Sequence, residues 1–299
     1  MLLLFCLSVT LSSMYKKINP AAIKALAIDL DGTMLLPDTS LGERTVQCLK
    51  RLKARGIQVI ICTGRAVESS RRYYNTIGAE GPMVFFNGAE VVDVPGMKMI
   101  SCNLLDLDVI DFCVDLARDM DVHFQIFLPP QEGSKDGADR WETLLIEKHG
   151  AEAQMYQNHT GIRAIVTDLK TAISEPALQG CPKAMFVTDP ALHDKIRRKM
   201  LDRFGSRIYI SCTYLTFLEI MNAGVSKGEG LKTVMACRDL KPEEIIAFGD
   251  EENDLPMFSV AGFSAAPSSA RENVRQAADF IFGSNEEEGL AVFLEELFG

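Results

Sequence analysis

The chain has 299 residues, a formal net charge of −10 and an apolar fraction of 47%. This length allows two domains with sizeable cores. The negative charge argues against a nucleic-acid partner, because binding to a phosphate backbone requires a basic face. We also expect no membrane partner, because no apolar window of the sequence reaches the length of a membrane span.

Residues 1–19 are predicted to be an N-terminal extension outside the fold. Residues 1–11 form an apolar run with no Lys or Arg before it, so the basic region of a secretory signal is missing. We expect this segment to be disordered or to precede a true start at Met14, and a signal peptide is the alternative. The eight cysteines include no C-x-x-C pair and lie in apolar segments, which favours reduced cysteines in a cytoplasmic protein.

Residues 20–90 alternate between apolar strands and amphipathic helices, and they are predicted to form the first part of a core domain. The run that begins at Ala25 and the runs 57–62 and 83–86 are apolar apart from Gln58. Such runs are typical of parallel strands that are covered on both faces. The helical spacing of apolar residues predicts helices over 41–55 and 66–77. This order predicts an α/β fold with a Rossmann-like parallel-sheet core and helices on both faces.

Residues 91–214 have a mixed pattern that predicts an inserted α+β cap domain of normal domain size. A hairpin is predicted to turn at Pro95–Gly96, and a short helix is predicted over 140–149. Residues 151–180 show no pattern that assigns their elements. Residues 215–299 return to the alternation of strands and helices, which predicts the second part of the core.

Polar residues follow several of the predicted core strands. Asp29 and Asp31 lie on the same side of the first strand end, and Asp250 follows the strand over 244–248. Ligands of parallel sheets bind beyond the carboxyl ends of the strands. Carboxylates are ligands that Mg²⁺ prefers, so Asp29 and Asp250 predict a magnesium site. Lys227, at the predicted start of a helix, adds a cation and free N–H groups that bind phosphate. The combination predicts phosphoryl transfer.

Four motifs carry a resemblance to a known family. They occur in the order D-x-D-G-T (Asp29–Thr33), T-G-R (Thr63–Arg65), V-S-K-G (Val225–Gly228) and G-D-x-x-N-D (Gly249–Asp254). In this order they resemble the haloacid dehalogenase-like superfamily. The long insertion after the third strand, together with Asn87–Gly88, makes the chain similar to the Cof-type phosphatases, which carry a large α/β cap. The resemblance extends over nearly the whole chain from Ile23 and is weakest in the cap.

The resemblance implies roles for individual residues. Asp29 would attack phosphorus and form an aspartyl-phosphate, and Asp31 would act as general acid and then as general base. The residues implied to bind the phosphate group are Thr63, Gly64, Lys227, Asn253 and Asn87. The residues implied to hold Mg²⁺ are Asp29, Asp31 through its backbone, and Asp250, with Asp254 in support. Arg65 is equally consistent with a phosphate contact and with a structural salt bridge.

These observations predict a Mg²⁺-dependent phosphatase acting on a small phosphorylated metabolite, such as a sugar phosphate or a phosphorylated cofactor. A large cap would hinder a phosphoprotein from reaching the nucleophile. Two alternatives remain open. One is a sugar phosphotransferase or mutase with the same aspartyl-phosphate, and the other is a non-enzymatic, receiver-like module that carries a phospho-aspartate. The protein is expected to be a monomer or a homodimer.

Overall fold

The computed structural model describes residues 18–129 and 143–299. The predicted N-terminal extension therefore lies outside the described residues except for residues 18 and 19, and so does the beginning of the helix predicted over 140–149.

The described residues contain 14 strands and 10 α-helices. The strands are β1 Ala25–Ile28, β2 Gln58–Ile61, β3 Gly81–Phe85, β4 Glu90–Val94, β5 Lys98–Cys102, β6 His123–Leu128, β7 Thr143–Ile146, β8 Ala164–Val166, β9 Lys183–Val187, β10 Ile208–Tyr214, β11 Phe217–Asn222, β12 Ile245–Phe248, β13 Phe263–Pro267 and β14 Phe280–Phe282. The helices are α1 Glu43–Ala54, α2 Val67–Ile77, α3 Leu107–Met120, α4 Ala151–Thr160, α5 Leu169–Ile173, α6 His193–Phe204, α7 Lys227–Arg238, α8 Leu255–Phe258, α9 Glu272–Ala277 and α10 Gly289–Phe298.

The first sheet is parallel and has the strand order β14-β13-β12-β1-β2. A single parallel bridge between Cys62 and Val84 connects it to the antiparallel strands β3, β4 and β5. Every residue of β1 and β12 is buried, as expected for strands covered on both faces. The predicted parallel core is confirmed.

Helices pack on both faces of this sheet because successive side chains of a strand point in opposite directions. Leu26 and Ile28 of β1 belong to a core cluster that includes the buried residues of α1, α2 and α10. Ala25 and Ala27 belong to a second cluster with the buried residues of α7 and α8. The core therefore has the predicted three layers, and β1 lies in the middle one.

The second sheet has six strands in the order β10-β11-β9-β6-β7-β8, and all its pairs are antiparallel except β7–β8. One face packs against α3 and α6. The opposite face carries Phe127, Met185 and Phe217, which pack with Phe86 from the loop after β3. This sheet confirms the predicted α+β region beside the core, and its inner face lies against the core.

Two features of the second sheet differ from the sequence prediction. Residues 143–146 form β7 where a helix was predicted, because they pair with β6 on one side and with β8 on the other. This pairing overrides the weak local preference. Strand β11 pairs with β9 in the second sheet, although residue 215 was predicted to begin the second core part. The hairpin β4–β5 pairs with β3 beside the core sheet. We therefore propose that the cap extends from about residue 103 to residue 222.

Among the described residues, no helix is both long and apolar enough to span a membrane. The seven described cysteines form no disulfide, although Cys212 and Cys237 are exposed rather than part of the core.

Candidate active site

The site lies at the carboxyl ends of the central core strands. Asp29 follows β1 directly, and its N–H donates to the carbonyl of Phe248 at the end of β12 over 3.0 Å. On the other side of β1, Cys62 donates to the carbonyl of Ile28 over 2.9 Å, which fixes the start of the loop carrying Thr63. The parallel register therefore brings the first, second and fourth motifs to one edge of the sheet.

Three carboxylates and one lysine form the centre of the site. Asp29, Asp250 and Asp254 each offer an oxygen, and these oxygens lie within 4.8 Å of one another. Lys227 Nζ contacts Asp29 Oδ1 and Asp254 Oδ1, both at 2.6 Å. Burial lowers the pKa of Lys227, but the carboxylates of Asp254 and Asp29 outweigh this effect and hold the pKa above its ordinary value. The lysine is therefore a permanent cation of the site.

The carboxylates carry more negative charge than the lysine can compensate. Burial raises the pKa of Asp29 well above its ordinary value, and the charge of Lys227 only partly opposes this effect. Burial, with a smaller contribution from the charge of Asp254, raises the pKa of Asp250 to about 7. Burial thus disfavours the ionised carboxylates, and the charge of Lys227 does not offset this effect. A bound cation would supply further counter-charge.

The residues present fit Mg²⁺, which prefers hard oxygen ligands. A Cβ atom at Gly32 would lie 2.1 Å from Asp250 Oδ2, and the φ of Gly32 is +74°. Glycine thus lets the loop after β1 approach this carboxylate at a close distance. Asp254 Oδ2 accepts from the N–H groups of Asp250 (2.9 Å) and Glu251 (3.0 Å), which orders the Asp250 loop. Asp29 and Asp250 would hold the ion, with Asp254 beside them.

Asp31 has a different environment from Asp29. Arg65 donates from Nη2 to Asp31 Oδ1 (2.5 Å) and from Nε to Asp31 Oδ2 (2.6 Å), which is a bidentate ion pair. The side chain of Arg65 is 8% exposed, whereas that of Asp31 is 50% exposed. The Asp31 carboxylate is therefore held by Arg65 and lies outside the three-carboxylate cluster. The predicted metal contact through its backbone stays a prediction. Of the two roles that the sequence left undecided for Arg65, the structure shows the salt bridge.

The other residues implied in phosphate binding form a connected set. Thr63 is fully buried, and its Oγ1 accepts from the N–H of Arg65 over 3.1 Å. The N–H of Asn87 donates to the Thr63 carbonyl over 2.9 Å. Asn253 Nδ2 donates to Asn87 Oδ1 over 2.9 Å. The structure brings Thr63, Gly64, Asn87 and Asn253 together, and their contacts with phosphate stay predictions.

A cavity of about 820 Å³ opens over this centre. Core residues that line it include Asp29, Asp31, Gly64, Lys227 and Asn253. Thr63 and Asn87 are buried and are not among the lining residues. The second sheet and its helices contribute Tyr156, Lys183, Arg197, Tyr209 and Glu219 to the other wall.

Sequence reasoning assigned no role in the site to Lys183, Arg197 or Glu219. For Lys183 and Glu219 a signal was present, because each is the only charged residue of its strand. Arg197 gave no signal, because it lies among other basic residues on a helix, Arg198 and Lys199.

Comparisons with known proteins agree with this geometry. Residues 26–294 match the family of haloacid dehalogenase-like hydrolases. The chain is 31% identical over 277 residues to the 5-amino-6-(5-phospho-D-ribitylamino)uracil phosphatase YitU of Bacillus subtilis. The aligned region covers 91% of this chain and 97% of YitU. It is 29% identical over 236 residues to the HMP-PP phosphatase of Cronobacter sakazakii, covering 79% and 80% of the two chains.

The structural comparison gives the same family. The crystal structure of a haloacid dehalogenase-like hydrolase from Bacteroides thetaiotaomicron superposes with a TM-score of 0.80 at 25% identity, over 92% of this chain and 100% of that chain. The chain therefore belongs to the haloacid dehalogenase-like hydrolases. Within that family it is an enzyme of the Cof-type phosphatases, since YitU, which shares nearly its whole length, and the HMP-PP phosphatase are both named phosphatases.

Proposed function

We propose that the protein is a Mg²⁺-dependent phosphatase that hydrolyses a small phosphorylated metabolite through an aspartyl-phosphate on Asp29. The observation that carries the proposal is the placement of Asp29. Its carboxylate lies 2.6 Å from the Lys227 ammonium, belongs to a three-carboxylate cluster and lines a cavity. A nucleophile, a fixed cation and a cluster suited to a divalent ion are the groups that phosphoryl transfer requires.

In the first half-reaction the phosphoryl group would pass from the substrate to Asp29. A carboxylate oxygen of Asp29 forms a bond to phosphorus while the ester P–O bond breaks, and Asp31 gives its proton to the departing alkoxide. Lys227 favours the ionised form of Asp29 and balances charge on the phosphoryl oxygens. Mg²⁺, when bound, would supply the remaining charge neutralisation.

The second half-reaction would regenerate the enzyme. Asp31, now a carboxylate, takes a proton from a water molecule whose oxygen attacks phosphorus, and the bond between phosphorus and Asp29 breaks to release phosphate. Arg65 keeps Asp31 in the wall of the cavity between the two steps. The same carboxyl group therefore serves as acid and then as base.

The cavity supports a metabolite as substrate. A volume of about 820 Å³ lies within the usual range for small-molecule sites, which is about 300–1,000 Å³. The two named relatives are phosphatases of 5-amino-6-(5-phospho-D-ribitylamino)uracil and of HMP-PP, which are small phosphorylated compounds. The second sheet forms one wall of the cavity, so a folded phosphoprotein would have difficulty reaching Asp29.

The test is a phosphate-release screen over phosphorylated metabolites that includes the substrates named for the two relatives. Each reaction is run with Mg²⁺ and with a chelator. Asp29→Asn should abolish release, whereas Asp108→Asn, in an exposed ion pair with Arg207, should not change it. A folded Asp29→Asn variant that releases phosphate at the wild-type rate would contradict the proposal. So would a wild-type rate that is the same with the chelator as with Mg²⁺. Addition of a sugar acceptor tests for phosphotransfer in the same assay.

A further inference from the structure

A buried ion pair lies between the second sheet and the core and has no part in the steps above. Lys183 Nζ and Glu219 Oε1 are 2.7 Å apart, with side-chain exposures of 3% and 2%. Side chains alternate along a strand. In β11, Leu218 and Ile220 point into the cluster with α3 and α6, so Glu219 points to the opposite, core-facing side. Burial of two charges is costly and often adds no stability, so the pair calls for another explanation.

The pair reaches two core loops of the site. Lys183 Nζ donates to the carbonyl of Gly64 over 3.2 Å, in the loop after β2. Glu219 Oε2 accepts from Asn87 Nδ2 over 3.3 Å, in the loop after β3. The Lys183 ammonium also lies 4.7 Å from the centre of the Phe86 ring. The second sheet is thus hydrogen-bonded to two loops that hold three of the predicted phosphate-binding residues, Thr63, Gly64 and Asn87.

The chemistry of Glu219 fixes the direction of every hydrogen bond that follows. An ionised carboxylate only accepts, so Asn87 must turn its Nδ2 toward Glu219 and its Oδ1 away. Asn87 Oδ1 then accepts from Asn253 Nδ2 over 2.9 Å. Asn253 is left with its Oδ1, which is buried and has no partner among the described residues. The two amide orientations follow from this network.

We propose that Lys183 and Glu219 are positioning residues that set the amide orientations of Asn87 and Asn253. Asn253, one of the residues that line the cavity, consequently keeps its buried Oδ1 as a hydrogen-bond acceptor that no described residue fills. Such an acceptor suits a water molecule or a substrate hydroxyl and disfavours an unprotonated phosphoryl oxygen. The inference rests on the proposed function and changes the role implied for Asn253 from binding phosphate to accepting a hydrogen bond. Contact with the second sheet thereby orders the core site.

A double-mutant cycle tests this inference, with an aryl phosphate as substrate at saturating Mg²⁺. In Glu219→Gln the new amide can donate or accept, so the orientation of Asn87 is no longer fixed. In Asn87→Asp two carboxylates face each other. Aspartate suits the backbone at this position, where φ is +56°. We expect each single variant to lower kcat about tenfold, a loss within the range of interaction energies measured between residues in contact.

The double variant Asn87→Asp/Glu219→Gln should recover most of the loss. The introduced glutamine can donate to the introduced aspartate, whose second oxygen can accept from Asn253 Nδ2, so the orientation of Asn253 is restored. We expect kcat within about threefold of wild type, because the two changes compensate within one network. If the ion pair were merely structural, the loss of kcat in the double variant would equal the product of the losses in the two single variants. Multiplied losses, or wild-type kcat in Glu219→Gln, would overturn the inference.

Controls separate this inference from loss of folding and from failure of the proposed function. Asp168→Ala removes a helix N-cap and a contact with Arg118 in the proposed cap, and it should lower Tm without changing kcat. If the single variants do not fold, Asn87→Gly keeps the positive φ and removes the amide. Its kcat should fall about tenfold, and an unchanged kcat would overturn the inference.

The orientation can also be measured without turnover. The side-chain NH₂ hydrogens of Asn253 donate to Asn87 Oδ1 and should be protected from exchange in wild type, less protected in Glu219→Gln, where this hydrogen bond is weakened, and protected again in the double variant. Equal protection in all three would overturn the inference even if the enzyme is a phosphatase. Absence of phosphatase activity in wild type would instead contradict only the proposed function.

Discussion

Replacement of Lys227 by Met tests the electrostatics of the site most directly. The lysine is 1% exposed and contacts two carboxylates at 2.6 Å. Methionine is unbranched and similar in length, so it fills the space without the charge. The change leaves Asp29, Asp250 and Asp254 without their cation, and they lie within 4.8 Å of one another. We expect a large loss of stability in the absence of metal.

The size of the loss follows from the burial of the pair. Removal of one partner from a buried ion pair costs about 3–5 kcal/mol. For a domain of roughly 150–250 residues, each kcal/mol lowers Tm by about 2–4 °C, which gives a decrease of about 6–20 °C. Mg²⁺ should reverse part of this loss. At about 100 times its Kd, a bound ion contributes about 2.7 kcal/mol, and the variant gains more than wild type because its carboxylates lack another counter-charge.

The assay is thermal and urea unfolding in chelator and in a series of Mg²⁺ concentrations. Lys232→Met is the matched control, because Lys232 lies in the same helix, is 57% exposed and pairs with Glu229. That substitution should cost no more than about 0.5 kcal/mol. A Tm for Lys227→Met within the error of the control, in chelator, would refute the conclusion that the lysine compensates buried carboxylates. An equal response of both variants to Mg²⁺ would refute the conclusion that Lys227 and the metal ion compensate the same carboxylates.

Three further predictions concern the same edge of the sheet. The pKa of Asp250, about 7, exceeds its value in the unfolded chain. Between the two values the folded state binds more protons, so the free energy of unfolding in chelator should rise as pH falls from about 8 to 6; Asp250→Asn should flatten this dependence in urea titrations. Gly32→Ala should weaken Mg²⁺ binding at least tenfold by calorimetry, because its Cβ would meet Asp250 Oδ2; unchanged affinity would exclude this effect. Arg65→Met should lower kcat for an aryl phosphate about tenfold or more with little change in KM, because Asp31 loses both hydrogen bonds; a kcat equal to that of wild type would contradict this role.

The core and its four motifs could be predicted because their signals are local. The apolar strand that ends at Asp29, and the turn residues after it, are contiguous in sequence. Parallel packing then requires the strand ends to meet. The register confirms this meeting, since β1 pairs with both β2 and β12.

The second sheet could not be predicted to the same depth because its contacts join distant segments. Strand β7 forms only through pairing with β6 and β8, and its four residues have no periodicity that distinguishes strand from helix. The partner of Glu219 is Lys183, 36 residues away. The direction of Asn87 depends on that pair. A single sequence gives the residue types at these positions, but it does not show which of these side chains are in contact.

Lys227 and the proposed Mg²⁺ would have different tasks, which would explain why a lysine lies beside a cluster suited to a metal ion. With three ionised carboxylates and one ammonium, two negative charges remain uncompensated, and a divalent ion can balance them. The substrate then brings further negative charge to Asp29, itself an anion. Lys227 is hydrogen-bonded to Asp29 and Asp254 rather than to Asp250, so its charge remains beside the proposed nucleophile, and it does not occupy the Asp250 carboxylate, the second proposed metal ligand. Loss of either cation should therefore leave Asp29 in place but oppose the approach of a phosphate dianion.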